Sequence, residues 1–383
     1  MNFSKSILMA FLLFIVSTSV YSMAGWDGRN RPDLMVMNYE SVFSNLPTSG
    51  QLTFIPWSDD YWPTSRGGIT YRWNQENGDY VQKYGYPIIP VDKITKGMSV
   101  KELSPAEKYD LYLARYDFPL TKFERSRTRI MKTVEGSSEY DSNFTIPGWE
   151  GLCHAWAPAT LLFKNPKPIK VINPQGIEIE FGSSDIKALL IYFLHSSKNE
   201  RRTNFLGSRC NLNFDELREK VSKGEITEEQ LKRKMNSPEC TDTNAGAFHV
   251  ALVNQIALKN EGFVADITRD AEVWNQPVYG FKTKIISEKE GASEGAAAGT
   301  VKEISVETEM MYIGEVSPTW EYATEHYGLR TKVYQYRLEL NSKGKIIGGE
   351  WSNEERPDFI WKQTKPSFSG FFAPLKALYE KSI

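Results

Sequence analysis

The order of apolar and polar positions changes character several times along the chain. Ile7 to Val16 is almost unbroken hydrophobic sequence, preceded by Lys5 and followed by small residues. A positive start, a short apolar run and small residues make an export signal, and the run is too short to cross a bilayer. Cleavage is expected near Ser22 or Ala24, so residues 1–22 are set apart and the mature chain is expected to be secreted or periplasmic. Ala188 to Leu194 is too short for a membrane span and reads as a buried element, so no membrane contact is expected after cleavage.

Residues 23–145 are irregular and rich in aromatics, with extended segments and turns such as Pro56 to Pro63. Ser104-Pro-Ala-Glu107 predicts a helix start with a capping box, followed by Tyr109, Leu111, Tyr112 and Leu113. Arg115 to Glu135 reads as mostly helical, with Lys122, Arg125, Arg127, Arg129 and Lys132 on a solvated face.

Residues 146–286 are more regular. Cys153 to Phe163 predicts a helix whose early Pro158 places the start near Cys153 to Ala157. Pro166 to Phe181 alternates around Asn173-Pro-Gln-Gly176 and reads as a hairpin. Ser184 to His195 predicts a helix, and Phe214 to Met235 a second, charged one. Ala247 to Leu258 is apolar throughout, which suits either helix or strand. Gly262 to Asp266 reads as a strand. Residues 287–300 are rich in Glu, Gly and Ala and read as a flexible loop. Residues 301–383 form a β-rich region: Val306 to Ile313 and Thr331 to Leu340 alternate at period two, and a turn at Asn341-Ser-Lys-Gly precedes Ile346 to Trp351. The class expected is α+β, with an aromatic-rich N-terminal region, a papain-like core and an antiparallel C-terminal region expected to pack on that core.

Three cysteines in an exported chain invite pairing arithmetic. Cys210 and Cys240 flank the charged segment and are the preferred disulfide, whose closure contributes about 3 kcal/mol. Cys153 is then left free, in Gly148-Trp-Glu-Gly-Leu-Cys-His-Ala-Trp156, at the start of a predicted helix. A helix N-terminus favours a thiolate. His249 lies in Ala247-Phe-His-Val-Ala-Leu-Val253, and Asp266 closes the strand after it; Asp270 is the alternative acid. Cysteine, histidine, acid is the chain order of a papain-like acyl-transfer site, which casts Cys153 as nucleophile, His249 as base and one aspartate as its orienter. The competing readings are an inert buried thiol and a core histidine.

The 46 basic residues balance 48 acidic ones, giving a net charge of −2, which offers no reason to expect nucleic acid. No metal motif and no Gly-rich phosphate loop appear, so metal ligands are unknown and no organic cofactor is expected.

Val273-Trp-Asn-Gln-Pro-Val-Tyr-Gly-Phe-Lys282 is very similar to the elicitor peptide of the secreted transglutaminases of Phytophthora, which has arginine where this chain has Tyr279. Gly151-Leu-Cys-His-Ala-Trp-Ala-Pro-Ala159 resembles that family's nucleophile segment. The resemblance implies a protein-glutamine gamma-glutamyltransferase, stimulated by calcium, with a papain-like core and protein substrates bearing glutamine and lysine side chains. It further implies a water-excluding acceptor tunnel, for which Trp149, Trp156 and Trp274 are candidate walls, with Asn275 and Gln276 beside them. A papain-like protease or glutamine deamidase on the same triad, and a non-catalytic secreted binding protein, are the alternatives.

Overall fold

The computed structural model describes residues 25–77, 79, 81–197, 202–235, 240, 242–268, 272–322 and 328–383. The export signal over residues 1–22, its cleavage sites and Asp270 lie outside the described residues.

Strands β1 (Ser49–Gln51), β4 (Thr203–Gly207), β5 (Phe263–Asp266), β6 (Asn275–Glu290), β7 (Lys302–Ile313), β8 (Leu329–Leu340), β9 (Ile346–Trp351) and β10 (Phe359–Gln363) form one sheet. Its order is β4-β10-β5-β6-β7-β8-β9, with β1 paired to β6, and every pairing is antiparallel. A separate hairpin joins β2 (Ile169–Ile172) to β3 (Glu178–Phe181), where the alternation placed it. The helices are α1 (Pro105–Tyr112), α2 (Pro119–Thr128), α3 (Cys153–Leu162), α4 (Ser183–Ser196), α5 (Phe214–Ser222), α6 (Glu228–Met235), α7 (Ala245–Val253) and α8 (Leu375–Ser382).

The predicted capping box is present. Ser104 Oγ accepts from Glu107 N, and Glu107 Oε2 accepts from Ser104 N at 3.0 Å. Helix α4 is buried from Ser183 to Leu194 and forms the centre of the core, which an apolar helix on all faces requires. It is tied to the N-terminal region by a fully buried ion pair, Lys108 Nζ to Asp185 Oδ2 at 2.6 Å. The same carboxylate group accepts from Trp73 Nε1 and from Gly182 N.

Three elements differ from their sequence readings, and one left open is settled. Arg115 to Glu135 is not one helix: Arg129 adopts φ 52°, ending α2, and only a short 3-10 turn, Ile130–Thr133, follows. Phe214 to Met235 is two helices, because Gly224 turns the chain at φ 71°. Their apolar faces close over a small satellite core of Phe214, Leu217, Leu231 and Met235, stapled by the Cys210–Cys240 disulfide. The segment read as a loop over 287–300 is strand as far as Glu290; the remainder is pinned by Ala297 N donating to Glu339. The division drawn there falls inside one sheet, since β6 pairs with β7 along its length. Ala247 to Leu258 resolves to α7 and a following π turn, Asn254–Leu258. Among the described residues no helix is long and apolar enough to cross a membrane.

Candidate functional site

Cys153 is the first residue of α3, as the sequence placed it. The turn before it is fixed by Leu152 N donating to the Tyr61 carbonyl at 2.7 Å. Gly151 is needed there, since a Cβ would lie 2.6 Å from the Tyr61 ring. The thiol is free, 8 % exposed, and rests against the start of β6. It donates to the Val273 carbonyl at 3.5 Å and accepts from Asn275 Nδ2 at 3.8 Å. Asn275 is held in turn by Trp361 Nε1, which donates to its Oδ1 at 2.7 Å.

Three further groups surround the thiol. Asp266, paired across the ladder with Asn275, accepts from Trp274 N at 2.9 Å. Glu315, just past β7, accepts from Gln276 Nε2 at 2.9 Å. Tyr61 packs with Trp274, centroids 6.2 Å apart, and its hydroxyl donates to the Gly148 carbonyl. Burial pushes the Cys153 thiol up to about 11; the Asn275 hydrogen bonds pull it down, while the Glu315 and Asp266 carboxylates oppose the thiolate. Burial likewise raises Glu315 above the ordinary carboxyl range and Asp60 to about 7, with Arg66 opposing the latter at 3.3 Å.

Beside the thiol opens a largely apolar groove of about 610 Å³, lined by His154, Phe205, Arg209, Val273, Asn275 and Trp361 among others. Phe205 stacks on Trp361 at 5.6 Å. His154 points to the groove and shares a hydrogen bond with His195, Nε2 to Nδ1 at 2.9 Å.

His249 is not part of this site. It sits on α7, which packs on β8 and β9, whereas α3 packs on β5 and β6. Its Nδ1 bonds Tyr336 Oη at 2.8 Å; that hydroxyl meets Thr308, which meets Thr283. Thr283 is eight positions along β6 from Asn275, roughly 25 Å at the strand rise. The expected cysteine–histidine pair is therefore corrected. A histidine in an apolar helix faced the sheet's interior, found a buried hydroxyl there, and is held down to about 4 by burial. Asp266 lies at the thiol's end of the sheet and so cannot orient that ring.

Of the three tryptophans, Trp274 stands at the site half-buried, Trp149 lies in the turn before Cys153, and Trp156 is fully buried in the core. Trp156 is thus no wall of an accessible tunnel; one turn of helix after Cys153 carries it inward. Tyr61 and Glu315 were missed. Both come from segments far from Cys153 in the chain, and neither lies in a recognisable motif. Among the described residues no group of three or more His, Cys, Asp or Glu side chains could hold a metal ion.

The Cys153 thiol thus stands at a helix N-terminus, packed against the start of β6 and beside the groove. The pattern of the transglutaminase elicitor family matches residues 33–373, and the chain belongs to that family. Its fold is similar to that of the GP42 transglutaminase from Phytophthora sojae, with a TM-score of 0.62, 24% identity, and 91% of this chain and 95% of that chain covered. At that identity the likeness speaks for the fold. No curated protein matches the chain.

Proposed function

We propose that the chain is an exported transglutaminase that joins a protein glutamine to an amine through a thioester on Cys153. The observation that carries this is the free thiol at the head of α3, enclosed by the Val273 to Gln276 segment that bears the family's most distinctive sequence. Family membership supports the reaction class, and the disulfide suits an oxidising compartment outside the cytoplasm.

On this reading the glutamine side chain approaches along the groove past Phe205 and Trp361. Cys153 sulfur attacks its carboxamide carbon, the carbon–nitrogen bond breaks, and ammonia leaves carrying the thiol proton. Asn275 Nδ2 and the amides of the first turn of α3 stand on the side where an oxyanion would develop. The helix terminus and Asn275 favour the thiolate that burial disfavours. An amine then attacks the thioester and restores the thiol. The core built by α3 against β5 and β6 is read as papain-like, with an acid-lined rather than a His249-dependent site.

The test is incorporation of a labelled primary amine into a glutamine-rich protein, with and without calcium, for the wild type and Cys153→Ala. Incorporation that disappears in the variant supports the proposal. Ammonia or peptide release that needs Cys153, without amine transfer, moves the assignment to a deamidase or protease; no Cys153-dependent chemistry at all leaves a binding protein.

A further inference from the structure

We propose that Glu315 and Gln276 form the acceptor subsite, where a primary ammonium such as a lysine side chain binds and loses a proton before attacking the acyl group on Cys153. This rests on the transglutaminase reading above. Glu315 lies close enough to Cys153 for its charge to act on the thiol, and both act on the Tyr61 hydroxyl between Trp274 and Gly148. Gln276 Nε2 is committed to Glu315 at 2.9 Å, which fixes the orientation of its amide. Its Oε1 is buried, on a residue only 3 % exposed, and receives no hydrogen bond.

A buried acceptor with no donor, beside a carboxylate, asks for a group that brings both charge and N–H bonds. A primary ammonium does so: it has three donors and one positive charge. One donor can serve Glu315 and another Gln276 Oε1. Of the other acids of this neighbourhood, Asp60 already has Arg66 at 3.3 Å and Asp266 accepts from Trp274 N. Glu315 has no cation within salt-bridge reach among the described pairs, although Arg330 acts on it from further off. Tyr61, which feels the Glu315 charge, packs with Trp274, and the two rings can flank an aliphatic stem.

The chemistry balances. The Glu315 carboxylate takes one proton from the ammonium, leaving a neutral amine. The amine nitrogen forms a bond to the thioester carbon as the carbon–sulfur bond breaks. The second proton lost from nitrogen goes to the departing sulfur, so the products are a secondary amide, the Cys153 thiol and a protonated Glu315. A cation arriving beside Glu315 also cancels the field that otherwise opposes a thiolate leaving group.

The experiment compares two acceptors on one glutamine peptide: a labelled diamine, cationic at neutral pH, and hydroxylamine, which is neutral there. Glu315→Gln is expected to lower the ratio of diamine product to hydroxamate by about tenfold or more, chiefly through a raised KM for the diamine. Gln276→Leu should move the ratio the same way by less, and Glu315→Asp should recover part of it. These two variants carry the test if Glu315→Gln does not fold. A proportional loss of both products would mean that Glu315 serves the thiol or the fold, and the proposal is overturned. An unchanged ratio with both products formed overturns the subsite and leaves the transglutaminase reading standing. Neither product from the wild type sinks that reading and the subsite with it.

Discussion

Replacing His249 by glutamine separates catalysis from folding at this residue. The buried imidazole is held neutral, its pKa brought from 6.5 to about 4 by burial. The unfolded chain therefore binds a proton below about 6.5 that the folded chain refuses until about 4. Stability falls as pH drops through that window, because the unfolded state holds the extra proton. An interval of about 2.5 units at about 1.4 kcal/mol each gives a loss of roughly 3 kcal/mol from this one group. His249→Gln keeps a side chain able to bond Tyr336 Oη and removes the titration. Urea denaturation of both proteins from pH 7 to pH 4 should show the variant losing less stability, and the difference between the curves isolates the histidine from buried acids such as Asp59 and Asp110, which titrate in the opposite sense. Amine incorporation per folded molecule should stay within about threefold of wild type, against the hundredfold or greater loss expected of a general base. A folded His249→Gln protein with activity down a hundredfold would refute the geometry argued above, and parallel stability curves would refute the buried neutral imidazole.

Three further outcomes are expected. Alkylation of Cys153 by iodoacetamide should be slow near neutral pH and accelerate toward pH 11, since the thiol is raised to about 11; a rate already at its plateau at pH 7 contradicts that environment. Replacing Cys210 and Cys240 by serine should cost about 3 kcal/mol and open the α5–α6 segment to proteolysis before the main core, as its satellite cluster is separate; uniform cleavage would argue against that separation. Lys108→Met strands Asp185 in the core without its cation and should destabilise the fold by about 3–5 kcal/mol in thermal or urea unfolding; a loss under 1 kcal/mol would show that Trp73 and Gly182 suffice to hold the carboxylate.

Local chemistry was legible in the chain. Ser104 and Glu107 specify a cap from four adjacent residues, and Asn173 to Gly176 specifies the β2–β3 turn, because each needs only its own neighbours. The start of α3 at Cys153 follows from the glycine turn and the placement of Pro158, and the Val273 to Lys282 segment carries the family resemblance in ten residues. The Cys210–Cys240 pairing follows from three cysteines and one segment to staple. What surrounds the thiol could not be read this way. Asp266 and Glu315 meet Cys153 because one sheet brings β5, β6 and the end of β7 together, and Tyr61 because its carbonyl takes the Leu152 amide; the chain offered Asp266 only as an orienter for His249, and nothing in it pointed to Tyr61 or Glu315. His249 shows the reverse error: an apolar stretch with one histidine fits a catalytic base and a core residue equally well. The register of β6, β7 and β8 decides between them by setting Thr283, Thr308 and Tyr336 beneath α7, far along the strand from the thiol. Sequence fixes local conformation through near neighbours, whereas the partner of a buried polar group is fixed by which strands lie side by side.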